Sequence, residues 1–324
     1  MERVLLVKTS SLGDVIHNLP VVSDIHRHFP RAKIDWLVEE NYGFIPRMHP
    51  QVNEVIPLAL RRWRKKLFDP NTWREIGKLR NRLKSGHYDA VIDTQGLVKS
   101  ALMARWANGP SFGQDRNSAR EPFAARLYNH ALPISKTQHA VERNRMLAAR
   151  ALGYPNPTGA VDYGIKFGQL ARPEFIPGKD YVFVLHGTAR ASKRWPDAHW
   201  RRLFPLLVER GLNIVAAWGS EGERELSNVF ASNNDAVIVP PSRLDVMESA
   251  QVILHAKAVI GVDTGFSHLA AALGIPVLGI YTDTDPGLSG VHGSGEAVAI
   301  NVGNINQVPT VDEVMAAFRK LEQG

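Results

Sequence analysis

The feature that most constrains this fold is a repeated alternation of short apolar runs with amphipathic helical segments, present in both halves of the chain. The pattern predicts strands at 4–9, 33–38, 52–56, 88–92, 181–186, 213–217, 236–239, 258–262, 276–281 and 297–301. Such alternation is typical of α/β domains with a buried parallel sheet. Since 324 residues exceed one typical core, we predict two doubly wound, Rossmann-like domains facing a central cleft.

Helical periodicity and punctuation divide the chain further. Helices are expected from about Leu19 and at 72–84, 98–106, 139–152, 198–210 (kinked at Pro205) and 311–321. Four prolines and weak periodicity between 155 and 177 predict a linker. We therefore predict an N-terminal domain at 1–165 and a C-terminal domain at 166–324. The last helix could pack on either domain.

Missing sequence features exclude several protein classes. The chain has no cysteine, which excludes disulfides, thiolate zinc sites and a cysteine nucleophile. No apolar run reaches the length of a membrane span, and Met1-Glu-Arg-Val is not a signal peptide. The sequence also lacks G-x-G-x-x-G, the P-loop pattern, H-E-x-x-H and D-x-D. We therefore expect no standard dinucleotide site and no metal.

Charge is distributed unevenly along the chain. Residues 1–157 carry 25 Lys and Arg against 14 Asp and Glu, a net charge of +11, whereas residues 158–324 carry 14 against 18, a net charge of −4. A basic half beside a mildly acidic half suggests that one domain meets a polyanion or an anionic surface. Nucleic acid and acidic lipid head groups both fit this charge.

The stretch from Gly261 to His268, Gly-Val-Asp-Thr-Gly-Phe-Ser-His, follows a predicted buried strand and opens a helix of small residues. Thr264 Oγ1, the Gly265 amide and the next free amides could hold a phosphate at the positive helix end. Asp263 would order the turn or a neighbouring cation, and His268 is better suited to hydrogen bonding than to metal ligation. A simple capped turn is an equally good interpretation of this stretch alone.

Two further loops follow predicted strands of the second half. Thr188 and Lys193 could grip a phosphate, although the same loop would also suit a solvated surface. A carboxylate after a strand end commonly binds ribose hydroxyls, and Glu223 is the candidate, with Glu221 as the alternative. Helix capping by either glutamate fits the sequence about as well.

The loop from Lys8 to Asp14 follows the first strand, and Gly13 permits close backbone approach there. A carboxylate just before a helix is usually an N-cap. Asn18, nearer to the helix start at Pro20, is expected to be the better cap. Asp14 would then be free to act as a general base toward a hydroxyl.

A run of cations is the remaining feature. Residues 61–84 hold ten Lys and Arg against Asp69 and Glu75, with Trp63 and Trp73 interleaved. Charge runs are usually solvated faces, but this density exceeds what solubility requires. An anionic lipid, a glycan or a nucleic acid would fit it, and Arg120 is expected to add to the same patch.

Taken together, these stretches resemble the lipopolysaccharide heptosyltransferases. The resemblance is carried by KTSSLGDVIHNLP, RRWRKK, YDAVIDTQGLVKSA, SAREP, QHAVERNR and GVDTGFSHLAAALG, which are spread over most of both halves. The combination of D-T-G-x-S-H with S-S-L-G-D is quite specific for this family. RRWRK with DTQGLVKSA favours type I, which adds the first heptose to Kdo-lipid A, over type II.

The resemblance implies a GT-B architecture and a metal-independent, inverting transfer from ADP-L-glycero-β-D-manno-heptose, without a cofactor. Asp14 would be the general base. The implied donor-binding residues are Thr188, Ala189, Lys193, Glu223, Leu244, Asp263, Thr264, Gly265 and His268. The implied acceptor-binding residues are Lys8, Ser10, Ser11, Gly13, Arg61, Arg62, Arg64, Lys65, Gln95 and Arg120. Leu244 stands where similar enzymes have a methionine, and Ala189 where they often have a second threonine.

The same resemblance implies a monomeric cytoplasmic enzyme, peripheral on the inner membrane, that binds no nucleic acid. Heptosyltransferase II and other GT-B sugar transferases with a phosphorylated acceptor remain alternatives. A non-catalytic nucleic-acid-binding protein is a more distant one, and it predicts salt-sensitive binding with no requirement for Asp14.

Overall fold

The computed structural model describes residues 1–166, 171–176, 178–232, 234–295 and 298–323. Contacts between Cα atoms divide the chain into two compact units, Met1–Lys166 and Phe167–Gly324.

The first unit, which is described throughout, is built on a six-stranded parallel sheet. Its strands are β1 (Arg3–Val7), β2 (Lys33–Glu39), β3 (Val52–Leu58), β4 (Ala90–Asp93), β5 (Ser111–Gln114) and β6 (His130–Leu132). Their order in the sheet is β3-β2-β1-β4-β5-β6. Its α-helices are α1 (Leu12–Ile16), α2 (Leu19–His28), α3 (Phe44–Arg47), α4 (Leu60–Trp63), α5 (Pro70–Lys84), α6 (Val98–Ala104) and α7 (Ala140–Leu152).

The second unit repeats this plan within its described residues. Its parallel strands are β7 (Tyr181–Leu185), β8 (Asn213–Ala216), β9 (Val237–Ile238), β10 (Ala258–Val262), β11 (Val277–Tyr281) and β12 (Ala299–Gly303). Their order is β12-β11-β10-β7-β8-β9. The helices are α8 (Asp197–Val208), α9 (Glu221–Ala231), α10 (Val246–Leu254), α11 (Gly265–Ala272), α12 (Pro286–Ser289) and α13 (Val311–Leu321).

Both sheets therefore have the strand order of the doubly wound Rossmann fold, and the predicted fold class is confirmed. The central strands are fully buried because helices cover both faces; β7 and β10 are buried at every position. Local signals set several helix ends as expected. In α7, His139 is the N-cap, and the helix ends at Gly153 in the left-handed conformation that glycine adopts without strain.

The elements that the sequence did not predict are short. Strands β5 and β6 have four and three residues and lack a run of β-branched side chains. Helices α1, α3 and α4 have one turn or little more. Segments of this length carry too few side chains to establish a period, and only contacts with the sheet stabilise them.

Two regions differ from a simple two-domain plan with a linker. Residues expected in the linker pack on the first unit: Val161 and Tyr163 are buried, and the Lys166 amide donates to Met48 O at 3.2 Å. Residues 167–170 and 177 of that linker lie outside the described residues, as does the first residue of the strand predicted at 297–301. Helix α13 packs on α8, β11 and β12, so it belongs to the core of the second unit.

The strand order creates one topological switch point in each sheet, where chain connections leave in opposite directions. In the first unit the switch lies between β1 and β4, and in the second between β7 and β10. Ligands of such folds bind beyond the carboxyl ends of these strands. The loops that follow the four strands contain most of the residues selected from the sequence.

Candidate active site

Asp14 lies beyond β1 at the switch point of the first unit, and it caps a helix. Ser11 is the N-cap of α1; its amide donates to Asp14 Oδ2 at 2.9 Å, and its hydroxyl lies 3.2 Å from the same oxygen. Asn18 is the N-cap of α2, as expected, but the expectation that Asp14 would be uncommitted is wrong, because Asp14 takes part in capping the separate helix α1. Asn18 precedes α2 but provides no side-chain capping bond. The sequence misled because one-turn helix α1 is too short to predict.

Capping occupies only one oxygen of Asp14. Among the described residues, no hydrogen bond reaches Oδ1, and a quarter of the side chain is exposed. Arg120 Nη1 lies 3.6 Å from Oδ2. Burial by itself would raise the pKa of Asp14, but the charges of Lys8 and Arg120 and the bonds from Ser11 outweigh it and hold the pKa below its usual value. Asp14 is therefore ionised at neutral pH.

Lys8 is buried beside this carboxylate and is fixed by the neighbouring strand. Its Nζ donates to Thr94 O at 2.9 Å, just after β4. Burial lowers the pKa of Lys8, and the nearby carboxylates of Asp14 and Asp93 partly oppose that effect. Gln95 ties the two loops together, since its Oε1 accepts from the amides of Thr9 at 3.0 Å and of Ser10 at 3.2 Å.

Arg120 reaches Asp14 because its loop lies against the turn after β4. Gly96 has φ +68°, and a Cβ there would lie 3.3 Å from the Arg120 amide. The Glu121 amide donates to Gly96 O at 3.0 Å. A glycine at this turn is thus what lets the loop carrying Arg120 approach so closely.

The structure therefore brings Lys8, Ser10, Ser11, Gly13, Asp14, Gln95 and Arg120 into one cluster. The remaining acceptor candidates lie apart from it, on and just after α4, which follows edge strand β3. Arg61 lies over the Tyr42 ring at 5.3 Å. Arg62 is already engaged by Glu40 and Glu75, with its Nη2 3.1 Å from Glu40 Oε2. Arg64 and Lys65 extend into solvent.

In the second unit, the switch point opens into a cavity of about 830 Å³. Five of the nine donor candidates line it: Thr188, Ala189, Glu223, Leu244 and Thr264. The cavity wall also includes Leu185, Gly187, Arg194, Ala217, Trp218, Gly219, Ser220, Arg243, Asp245, Val246, Ser249 and Phe266. Its volume lies within the range of nucleotide-sized ligand sites.

The other donor candidates form a charged network beside this cavity. Lys193 Nζ lies 2.5 Å from Asp263 Oδ2, and the Thr284 hydroxyl donates to the same oxygen at 2.6 Å. Burial would raise the pKa of Asp263, but His268, with its Nε2 3.9 Å from Oδ1, and the hydrogen bonds from Lys193 and Thr284 outweigh it and hold the pKa far below its usual value. Asp263 thus positions the cation.

Thr264 and Gly265 form the end of this turn where α11 begins. Thr264 is the N-cap of α11 but makes no side-chain capping bond there, and Gly265 is the first residue of the helix. The Thr188 hydroxyl donates to Asp263 O at 3.0 Å and holds the two loops together. The free amides of α11 and the Lys193 charge can therefore receive a diphosphate.

Glu223 is held against the backbone of the β7 loop. Its Oε2 accepts from the Gly219 amide at 2.7 Å, and a Cβ on Gly187 would lie 2.3 Å from its Cδ. Only a glycine at 187 allows this approach. The alternative, Glu221, is exposed, pairs with Arg224 and does not line the cavity.

The sequence did not single out several residues of these sites. Trp218 lines the cavity, and its Nε1 donates to Pro240 O at 2.9 Å. Phe266 also lines the cavity. It lies inside the Asp-Thr-Gly-Phe-Ser-His stretch, so an aromatic residue in a predicted ligand-binding turn was the signal that could have identified it. Arg143 donates from Nη2 to Ser118 O at 3.0 Å; its pKa is lowered by burial and by the charge of Arg120. Arg143 was visible only as part of QHAVERNR.

The described residues hold neither a metal-binding cluster nor a membrane-spanning helix. They contain no group of three or more His, Asp or Glu placed to hold a metal ion. In the same residues, no helix combines the length and apolar composition needed to cross a bilayer.

The fold is also similar to that of solved structures. The structure of E. coli heptosyltransferase WaaC with ADP superposes with a TM-score of 0.87 at 41% sequence identity, covering 98% of this chain and 99% of that one. With its two doubly wound units and this structural neighbour, the chain is a glycosyltransferase of GT-B architecture.

The family follows from the sequence comparisons. Residues 76–317 match the model of glycosyltransferase family 9 (heptosyltransferase), and the chain belongs to that family. It is 47% identical to lipopolysaccharide heptosyltransferase 1 of Pseudomonas aeruginosa over 91% of this chain and 82% of the relative. Heptosyltransferase 2 of Salmonella typhimurium is 26% identical over 88% of this chain and 84% of its own. The resemblance inferred from the sequence, including its type I character, is confirmed.

Proposed function

We propose that this heptosyltransferase moves L-glycero-D-manno-heptose from ADP-heptose to the Kdo of Kdo-lipid A, in assembly of the lipopolysaccharide inner core. The type I relatives support the acceptor, because their sequences are far more similar to this chain than the type II sequence is. Heptosyltransferase II is the alternative, and a test with different acceptors must distinguish it from heptosyltransferase I.

The donor proposal rests on the cavity of the second unit. A solved structure of E. coli WaaC contains ADP-2-deoxy-2-fluoro heptose and superposes on this chain with a TM-score of 0.84. Lys193, Thr188 and the α11 turn would receive the diphosphate, and Glu223 the ribose hydroxyls. Leu244, Ala189 and Trp218 supply an apolar wall for the adenine. The developing charge on ADP would be offset by Lys193 and the helix amides, without a metal ion.

The observation that carries the reaction is Asp14. It is an ionised carboxylate at the switch point, with one oxygen fixed by Ser11 and the other uncommitted among the described residues. We infer that Asp14 Oδ1 takes the proton of a Kdo hydroxyl while the oxygen of that hydroxyl attacks the anomeric carbon of heptose. The bond from that carbon to the diphosphate breaks, ADP leaves with the electron pair, and the configuration inverts.

A carboxylate with a low pKa is a weak base, and the cations around Asp14 explain how it could still accept a proton from the acceptor. In the free protein, Lys8 and Arg120 hold its pKa low. A Kdo carboxylate bound to these cations would share their charge, so the pKa of Asp14 would rise only when the acceptor is in place. Proton acceptance is thereby coupled to acceptor binding.

The basic segment after β3 would meet the rest of the acceptor. Arg61, Arg64 and Lys65 are exposed and suit the phosphates of Kdo-lipid A. Arg62 is held by Glu40 and Glu75, so its part is to fix α4 to α5. Because the acceptor is a membrane lipid, we further propose that the enzyme acts peripherally on the anionic cytoplasmic face of the inner membrane.

A transfer assay in excess EDTA tests the proposal. The protein is given ADP-heptose with and without Kdo-lipid A, and ADP release is followed. We expect release that depends on the acceptor and is unaffected by EDTA. Release only with a heptosylated acceptor would support heptosyltransferase II instead, and loss of release in EDTA would overturn metal independence.

A further inference from the structure

The turn between α4 and α5 and the first turn of α5 together expose three large apolar side chains, Leu67, Phe68 and Trp73. Phe68 is 102% exposed relative to its reference state, Leu67 49% and Trp73 59%. Trp73 Nε1 donates to Leu67 O at 2.8 Å, so the indole is held against the same turn. Scattered exposed apolar residues are ordinary, but a cluster that includes an entirely solvated phenylalanine indicates a contact surface.

The turn is held firmly enough to present these side chains. The Lys66 amide donates to Trp63 O at 2.9 Å and the Asp69 amide to Lys66 O at 3.1 Å. Asp69 caps α5. Below the turn, Trp63 is buried and its Nε1 donates to Glu75 Oε2 at 2.6 Å. The apolar cluster therefore stands on a fixed base.

Cations surround the apolar cluster. Arg64, Lys65 and Lys66 are exposed, and no hydrogen bond or ion pair engages their side chains within the part of the chain that the structure describes. Arg74 bonds only to Asn71, at 2.9 Å, in the same part. Of the neighbouring acids, Glu40 and Glu75 pair with Arg62, and Asp69 accepts from the Asn71 amide at 2.9 Å as the cap of α5. Residues 64–74 thus carry four cations against the one carboxylate of Asp69. The surface thus combines an apolar tip with unneutralised positive charge.

We propose that residues 64–74, here termed the aromatic–basic turn, insert Leu67, Phe68 and Trp73 into the interface of an anionic bilayer. Arg64, Lys65, Lys66 and Arg74 would meet the lipid phosphates. Phe68 gains most from leaving water because all of it is exposed, and tryptophan favours the head-group level. Charge complementarity selects an anionic lipid surface as the partner. The inference rests on the proposed peripheral contact and specifies which residues make it.

Vesicle binding without acceptor tests this directly. Phosphatidylcholine vesicles with and without phosphatidylglycerol are sedimented with the protein. We expect binding that requires phosphatidylglycerol and weakens with salt. The double variant Leu67→Ser, Phe68→Ser should bind roughly 10-fold or more weakly, from the lost apolar burial. The control Ile305→Ser, which removes a side chain 50% exposed in the second unit, should bind as the parent protein does.

A gain-of-signal variant guards against misfolding. Phe68→Trp should retain vesicle binding, and its fluorescence should be quenched by lipids brominated on the acyl chains. Absence of quenching with binding retained would place the contact elsewhere and overturn the proposal. Equal binding of the Leu67→Ser, Phe68→Ser variant and the parent protein, or parent binding that ignores phosphatidylglycerol, would overturn it as well. Self-association that is lost in the double variant would identify a second copy as the true partner and overturn the membrane assignment.

Transfer kinetics separate this inference from the proposed function. The double variant should show a raised KM for Kdo-lipid A in vesicles but parental kinetics with a deacylated, soluble acceptor. Impaired turnover of the soluble acceptor at unchanged Tm would place the turn in the acceptor site and overturn the membrane role. If neither protein transfers heptose while vesicle binding behaves as expected, the transfer proposal fails and the membrane contact stands.

Discussion

Arg120 Nη1 lies 3.6 Å from Asp14 Oδ2, although Asp14 is in helix α1 after β1 and Arg120 is in the loop after β5. The pair joins a capping carboxylate to a cation in the proposed acceptor site. Because Ser11 binds the same oxygen, this geometry leaves Oδ1 for the acceptor hydroxyl. The proposed base function and helix capping would therefore use different oxygens of one side chain, and variants can separate the two roles.

Asp14→Asn should retain ADP-heptose binding while turnover falls about 10²- to 10⁴-fold, because the amide cannot accept the proton. Ser11→Ala is the matched variant for capping. It should cost about 0.5–2 kcal/mol of unfolding free energy while retaining most of the turnover. Calorimetric ADP binding, steady-state kinetics and urea unfolding measure these effects. Near-parental turnover in Asp14→Asn would show that Asp14 is not the base.

Arg120→Ala should move the acidic limb of the pH–kcat/KM profile to higher pH. The charges of Lys8 and Arg120 hold the pKa of Asp14 below its usual value, so removing one cation raises that pKa. Arg120 is largely exposed, so a shift of roughly half a pH unit is expected. Arg116→Ala removes an exposed arginine from the same loop and should leave the limb in place. An acidic limb that stays in place in Arg120→Ala would show that the charge of Arg120 does not lower the pKa of the catalytic base.

Asp263→Asn should destabilise the protein at neutral pH by roughly 2–3 kcal/mol. The pKa of Asp263 is depressed in the folded state, so its contribution is present above the unfolded-state pKa of about 3.9 and is lost as pH falls through the folded value. The deficit of the variant should therefore shrink in acid. Urea unfolding across this range measures it, with the exposed Asp312→Asn as control. A deficit independent of pH would mean that the ion pair is not its source.

Gly187→Ala should weaken ADP binding about tenfold, equivalent to about 1.4 kcal/mol. A Cβ at 187 would collide with the Glu223 carboxyl and displace it from the proposed ribose site. Gly222→Ala is the control, because a Cβ there meets nothing within 4 Å. Isothermal titration with ADP compares the two. Unchanged affinity for ADP in Gly187→Ala would show that Glu223 does not bind the ribose.

Much of the fold could be predicted from the sequence, since strand and helix periods are local. Strand β10 was predicted with its observed bounds, as was α13. Sequence order also placed the site loops, because parallel strands end at one edge of a sheet. The long elements were found because their hydrophobic period repeats over several turns or residues. The short elements were missed because they contain too few residues for such a period to be visible.

What the sequence determined about this chain is thus which loops would follow which strands, and which residue types those loops would carry. The tertiary structure decided how these residues are used. It made Asp14 a cap as well as a base candidate, engaged Arg62 with two glutamates, and set Lys193 beside Asp263. Ser11 lies only three residues from Asp14, but helix α1 that joins them is too short to show a period, whereas the partners of Arg62 and Lys193 are distant in the chain and no local pattern encodes their pairing. Their charges and pKa values follow only from distances that folding establishes.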